Sequence, residues 1–217
     1  VEVSVSRSFP LLPRLAVAFL VAAAVSSAPR LAGATGFGFN CITNNNAADC
    51  AIGVSQLHLD ASAAGAGQVR FELTNSGPAQ STIAGAYWDD DSSLLASIAS
   101  ISSAGVSFSA NGSPPDLPGG NSINPAFSGD FRVNANAPPP QNGVNPGDVL
   151  DVVFNLANGV SANDVINALG SGSLRVGVHV INFASGGSES FVNTPEPAAL
   201  LLGALGLAGL AAFRRRA

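Results

Sequence analysis

Few residues of this sequence could do chemistry. The two histidines, His58 and His179, are the only side chains able to exchange protons near neutral pH or offer imidazole to zinc. Each lies between apolar neighbours, Leu57 and Leu59 or Val178 and Val180. That places both on the polar side of an alternating segment, where a surface or structural histidine is the plain reading. Asp89-Asp90-Asp91 follows Tyr87-Trp88. Carboxylates at a strand end suit Ca²⁺, which takes oxygen ligands. Consecutive residues do not all point one way, however, and no Asp-x-Asp-x-Asn-Gly loop is present, so an acidic solvated turn is the competing reading. Tyr87 and Trp88 are the sole Tyr and Trp. At the edge of a sheet they would stack on sugar rings; inside, they would pack a core. Serine is plentiful, but there is no Gly-x-Ser-x-Gly elbow, phosphate-binding glycine loop or dinucleotide fingerprint. A catalytic role therefore has no constellation to rest on, and no cofactor is expected beyond Ca²⁺ at the three acids.

The sharpest pattern lies near the end: Thr194, then Pro195-Glu196-Pro197, an apolar run over 198–213, and Arg214-Arg215-Arg216. The two prolines fix φ and bias the residues before them toward extended backbone. A rigid extended Pro-Glu-Pro is a good handle for an enzyme that reads its substrate as a strand. The 16-residue run spans about 24 Å as a helix, against a hydrocarbon core of roughly 30 Å. Snorkelling arginines and local bilayer thinning make up the difference. Three arginines directly after it form a stop-transfer signal held on the cytoplasmic side.

The other end carries a second address. Arg7 and Arg14 precede an apolar run of eleven residues, Leu15 to Val25, which fits a secretory h-region and is too short to span a bilayer. Ala32-Gly33-Ala34 supplies small-x-small cleavage geometry for signal peptidase, which puts the mature start at Thr35. Cys41 and Cys50 agree with export. An even pair in an exported chain reads as a disulfide, and closing so short a loop is worth roughly 2.5–3 kcal/mol.

Between the addresses the charge changes. All nine basic residues are Arg, and only Arg70, Arg132 and Arg175 fall in 35–194, against twelve acids, so that segment carries −9 where the chain carries −5. The balance excludes a basic nucleic-acid binder. The mean hydropathy of +0.33 comes largely from the two ends. The middle shows short alternating segments separated by Gly, Pro, Asn and Ser. Val69-Phe71-Leu73, Leu57-Leu59 and Leu174-Val176-Val178-Val180 each alternate with polar residues or glycine. Residues 149–154 are more continuously apolar and fit a central strand, and further strands are expected over 81–88 and 104–109. One helix is expected from Ser161 as N-cap, with Asp164 at N3 and Gly170 as the C-terminal glycine. Residues 111–147 read as a long loop. The whole predicts an all-β fold, a single β-sandwich with a jelly roll as one form of it. The organisation is then a signal peptide over 1–34, an ectodomain over 35–193 and a sorting tail over 194–217.

The tail resembles the PEP-CTERM sorting domain, in which a Pro-Glu-Pro motif, an apolar helix and a basic cluster follow in this order. The resemblance covers 194–217. It implies recognition of Pro195, Glu196 and Pro197 by exosortase, a polytopic membrane enzyme, with Arg214, Arg215 and Arg216 as the stop-transfer cluster. It also implies a Gram-negative, polysaccharide-producing host, transit through the inner membrane, and delivery to the cell surface or extracellular matrix. A structural or adhesive part of an exopolysaccharide or biofilm matrix is the expected role; polysaccharide binding is the alternative, a permanent anchor or secreted hydrolase the third. The segments FNCITNNNAADCAIG and FASGGSESF are also similar to ectodomains that accompany such tails, a likeness that brings no activity with it.

Overall fold

A computed structural model describes residues 34–102 and 104–195. In chain order the elements are β1 (Thr35–Cys41), α1 (Ala47–Gln56), β2 (Leu57–Gly65), β3 (Gln68–Asn75), β4 (Thr82–Asp89), β5 (Leu95–Ser102), β6 (Phe108–Ala110), β7 (Phe131–Ala135), α2 (Pro139–Asn142), β8 (Val149–Leu156), α3 (Ala162–Ser171), β9 (Arg175–Ile181) and β10 (Glu189–Pro195). All ten strands join one sheet in the order β5-β8-β3-β2-β1-β10-β9-β4-β7-β6, antiparallel throughout. The sheet curls until its edges, β5 and β6, nearly meet. The expected all-β fold is present. Its two layers are halves of one nearly closed sheet.

The alternating residues explain the closure. Leu57, Leu59, Phe71, Leu73, Leu150, Val152 and Phe154 point inward from one half and are buried. Trp88, Val176, Val178 and Val180 answer from the other. The halves meet at an aromatic cluster: Trp88 lies 5.6 Å from Phe71 and 5.0 Å from Phe154, and Phe131 lies 5.3 Å from Phe154. Edge-on and tilted pairs at these separations add to the burial of the rings themselves. The expected central strand is β8, flanked by β3 and β5.

The expected helix is α3, with Ser161 and Asp164 forming a reciprocal capping box. It runs past Gly170 and ends at Gly172, whose φ of 80° is the left-handed conformation glycine accepts. Val165 and Leu169 bury its apolar stripe in the main core, and the helix carries the chain from β8 to β9, in the other half. Two further helices depart from expectation. α1 occupies the segment between and just beyond the cysteines, and α2 lies in the stretch expected to be loop, as does β7. Of the strand expected over 104–109, only the end appears, in β6.

Outside the sheet, Leu117 and Phe127 of the 111–130 segment cover Tyr87 and Val192, making a second, smaller apolar cluster. Gly177 of β9 makes room for this cover: a Cβ there would lie 2.5 Å from Leu117.

Candidate functional site

β10 is the strand that leads into Pro195-Glu196-Pro197, and it is not an edge. It lies between β1 and β9 and is covered on both faces, with Phe191 in the main core and Val192 in the outer cluster. Such a strand lacks the alternation by which half-buried strands are found. Asn193, Thr194 and Pro195 make it look like a linker in sequence.

Its start is clamped. Glu189 is 1% exposed, and its carboxylate accepts from the Thr43 hydroxyl, from Asn45 N at 3.0 Å and from Asn46 N at 2.6 Å. Asn46 is the N-cap of α1, its Oδ1 accepting from Ala48 N at 2.9 Å. Carboxylate and cap thus satisfy backbone N–H groups at the entrance to the helix, where negative charge is favoured. Thr43 Oγ1 in turn accepts from Ser190 N at 2.9 Å. Asp49, in the first turn of α1, accepts from the Ser185 hydroxyl. Gly53 lets α1 lie on the strand: a Cβ there would come within 2.1 Å of Phe191 Cζ.

The disulfide Cys41–Cys50 joins the end of β1 to α1. Residues 39–53 and 183–191 are one another's partners, folded into a single clasp around the start of β10. Cys41, Cys50 and Glu189 also form the one group of His, Cys, Asp or Glu atoms close enough to hold a metal among the described residues. The sulfurs are bonded to each other and offer no thiolate, and the carboxylate is already engaged, so the group acts as a clasp.

The other end of β10 is held differently. Pairing with β9 stops at Val192 opposite Gly177, and at the next position the Asn193 side chain takes the Val176 N–H at 2.6 Å. Pairing with β1 continues: Asn193, Thr194 and Pro195 lie opposite Phe39, Gly38 and Phe37. The first residue of the Pro-Glu-Pro motif is thus inside the sheet, with no linker before it. Glu196, Pro197, the 198–213 run, the Arg214–Arg216 cluster and the 1–33 segment lie outside the described residues. Among the described residues no helix is long and apolar enough to cross a membrane.

The remaining candidates are dispersed. Tyr87 and Trp88 are both 0% exposed, so of their two readings core packing holds and the sugar-stacking surface does not. Neighbours in a strand face opposite sides: Trp88 fills the main core, while Tyr87 enters the outer cluster, its hydroxyl accepting from Asn134 Nδ2 at 3.0 Å.

The three acids turn three ways. Asp89 is buried against Arg175 and accepts from Ser128 N at 3.1 Å. Arg175 also donates to Pro125 O at 2.8 Å and lies over the Phe127 ring. Asp90 accepts from Leu95 N at 2.7 Å and donates its own N–H to Asp130. Burial raises its pKa above the ordinary carboxylate value, and the Asp89 and Asp130 charges add to the rise. Asp91 is exposed. Asp89 pins the 111–130 cover and Asp90 shapes the β4–β5 turn; the three carboxylates are not brought together as one ligand set.

His58 is exposed on β2, and His179, on β9, is half-buried, with its pKa lowered by desolvation. Two strands separate them in the sheet, so they form no pair.

An all-β domain whose buried central strand runs directly into a Pro-Glu-Pro motif is the class that fold and site define. Residues 193–216 match the PEP-CTERM protein-sorting motif. The match starts at Asn193, so it overlaps the folded sheet by the three residues that β1 holds. No curated protein and no solved structure matches the chain. The motif supports an exported protein sorted through exosortase.

Proposed function

We propose that this chain is a structural or adhesive component of the cell surface or extracellular matrix, delivered there by exosortase acting on its own C-terminal tail. The single observation that carries the reading is the sorting motif at 193–216, set directly on the last strand of a folded, disulfide-clasped domain. The tail addresses that domain to a membrane enzyme; the domain is the cargo. The disulfide fits a destination outside the reducing cytosol. A non-enzymatic role is supported by how the polar groups are used: Asp89, Asp90 and Glu189 hold loops and strand ends. In this reading Pro195, Glu196 and Pro197 are the recognised residues and signal peptidase removes the leader.

The test is Glu196→Gln in a host that carries exosortase. It should leave a membrane-bound precursor while the parent is processed. Normal processing of the variant would contradict the assignment of Glu196. A glycan array on the exported protein separates scaffold from binder: retention of a defined polysaccharide would favour the binding role.

A further inference from the structure

We infer that pairing with β1 withholds the sorting signal, and that exosortase acts only when Pro195 has been drawn clear of the sheet. The inference rests on the sorting reading above and adds to it a positioning element, the strand formed by Thr35–Cys41.

Three observations converge on it. The sorting match begins at Asn193, yet Asn193, Thr194 and Pro195 are paired with Phe39, Gly38 and Phe37. An enzyme that binds a segment in extended form does so through the segment's main-chain groups. Here the groups facing β1 belong to the ladder, so β1 and the enzyme compete for them.

Room is also short. Only Glu196 and Pro197 separate Pro195 from the apolar run that starts at Ala198. Fully extended, the step from Pro195 to Ala198 covers at most about 10 Å, at roughly 3.3 Å per residue. A docked strand end therefore keeps the sheet against the place where the enzyme must work.

Finally, the strand is built to yield at this end alone. Behind it lie Glu189 in its clasp, Phe191 in the main core and Val192 in the outer cluster. Ahead of it the β9 ladder has already ended, leaving the Asn193–Val176 hydrogen bond and the β1 pairs. Release can stop at Val192 without opening the core.

β1 itself begins at Thr35, where the leader is expected to be cut, and its first residues pair with β2 at Ala61, Asp60 and Leu59. The mature N-terminal strand and the C-terminal signal thus share one rim of the domain.

The test locks the pair in the full-length chain, expressed with exosortase. Gly38 and Thr194 are direct partners, and a Cβ at Gly38 meets nothing within 4 Å. The double variant Gly38→Cys/Thr194→Cys, with the new bridge verified by mass, should be processed at least about tenfold more slowly than either single variant, opening of a strand end being among the least costly local motions. A short Gly/Ser insert between Thr194 and Pro195 should restore processing to the bridged protein and speed it in the unbridged parent. Processing of the bridged protein at the rate of the single variants, or an insert that leaves the parent's rate unchanged or slower, overturns the inference. The parent control separates the two levels: if the parent is not processed at all, the sorting reading fails, and this inference with it.

Discussion

Replacing Glu189 by Gln probes the clasp that anchors the sorting strand. In the parent, Oε1 accepts from Asn46 N, and Oε2 accepts from Asn45 N and the Thr43 hydroxyl. A Gln side chain of the same shape keeps one acceptor and turns the other into an amide donor. With its oxygen on the Oε2 side, it faces Asn46 N with an N–H group. With its oxygen on the Oε1 side, it opposes Asn45 N. Either way one backbone donor loses its partner, and the remaining bonds lose their charge assistance. A buried donor left unsatisfied costs about 1–3 kcal/mol. The expected loss is about 2 kcal/mol, or roughly 4–8 °C in Tm for a domain of this size. Trp88, the sole tryptophan and fully buried, reports unfolding by fluorescence. Hydrogen exchange should show the loss locally, at the amides of Asn45 and Asn46. A change below about 0.5 kcal/mol, the range of an ordinary surface substitution, would refute the clasp as a load on stability.

Two further outcomes are expected. Gly53→Ala should destabilise by about 1–3 kcal/mol through overpacking against Phe191, even though Ala favours helix, and Phe191→Leu should recover part of the loss; chemical denaturation measures both. His179 has its pKa lowered by burial, so the folded state prefers the neutral ring. Its contribution to stability is complete above the unfolded value of about 6.5 and falls away as pH drops through the lowered folded pKa. Denaturation midpoints of His179→Gln should therefore decline less than those of the parent as pH falls from 7 toward 5, and parallel curves would count against it.

What was legible in the sequence followed period and caps. β2, β3 and β9 stand out because one face is polar or small, and α3 because Ser161 and Asp164 announce its start. β5 hid because it obeys neither common period. Leu95, Ile98 and Ile101 turn toward the apolar interior at every third residue, with register shifts at Leu95/Ser97 and Ile98/Ser100 inserting the extra positions. α1 carried a signal that the cysteines masked: Asn46 followed by Asp49 is an N-cap with an acid at N3. β10 hid because burial on both faces erased its alternation. Of the site, the Pro-Glu-Pro motif was visible as a pattern of residue types. Its attachment to a paired strand, and the meeting of residues 39–53 with 183–191, are tertiary facts that no local window contains.

Sorting of this protein by exosortase through its tail can be read from the intact mass of the exported protein. It should be measured in matched hosts with and without a functional exosortase. The tail beyond the Pro-Glu-Pro region should be missing only where the enzyme is active, with the full tail retained where it is not. A tail that remains intact in both hosts would contradict it.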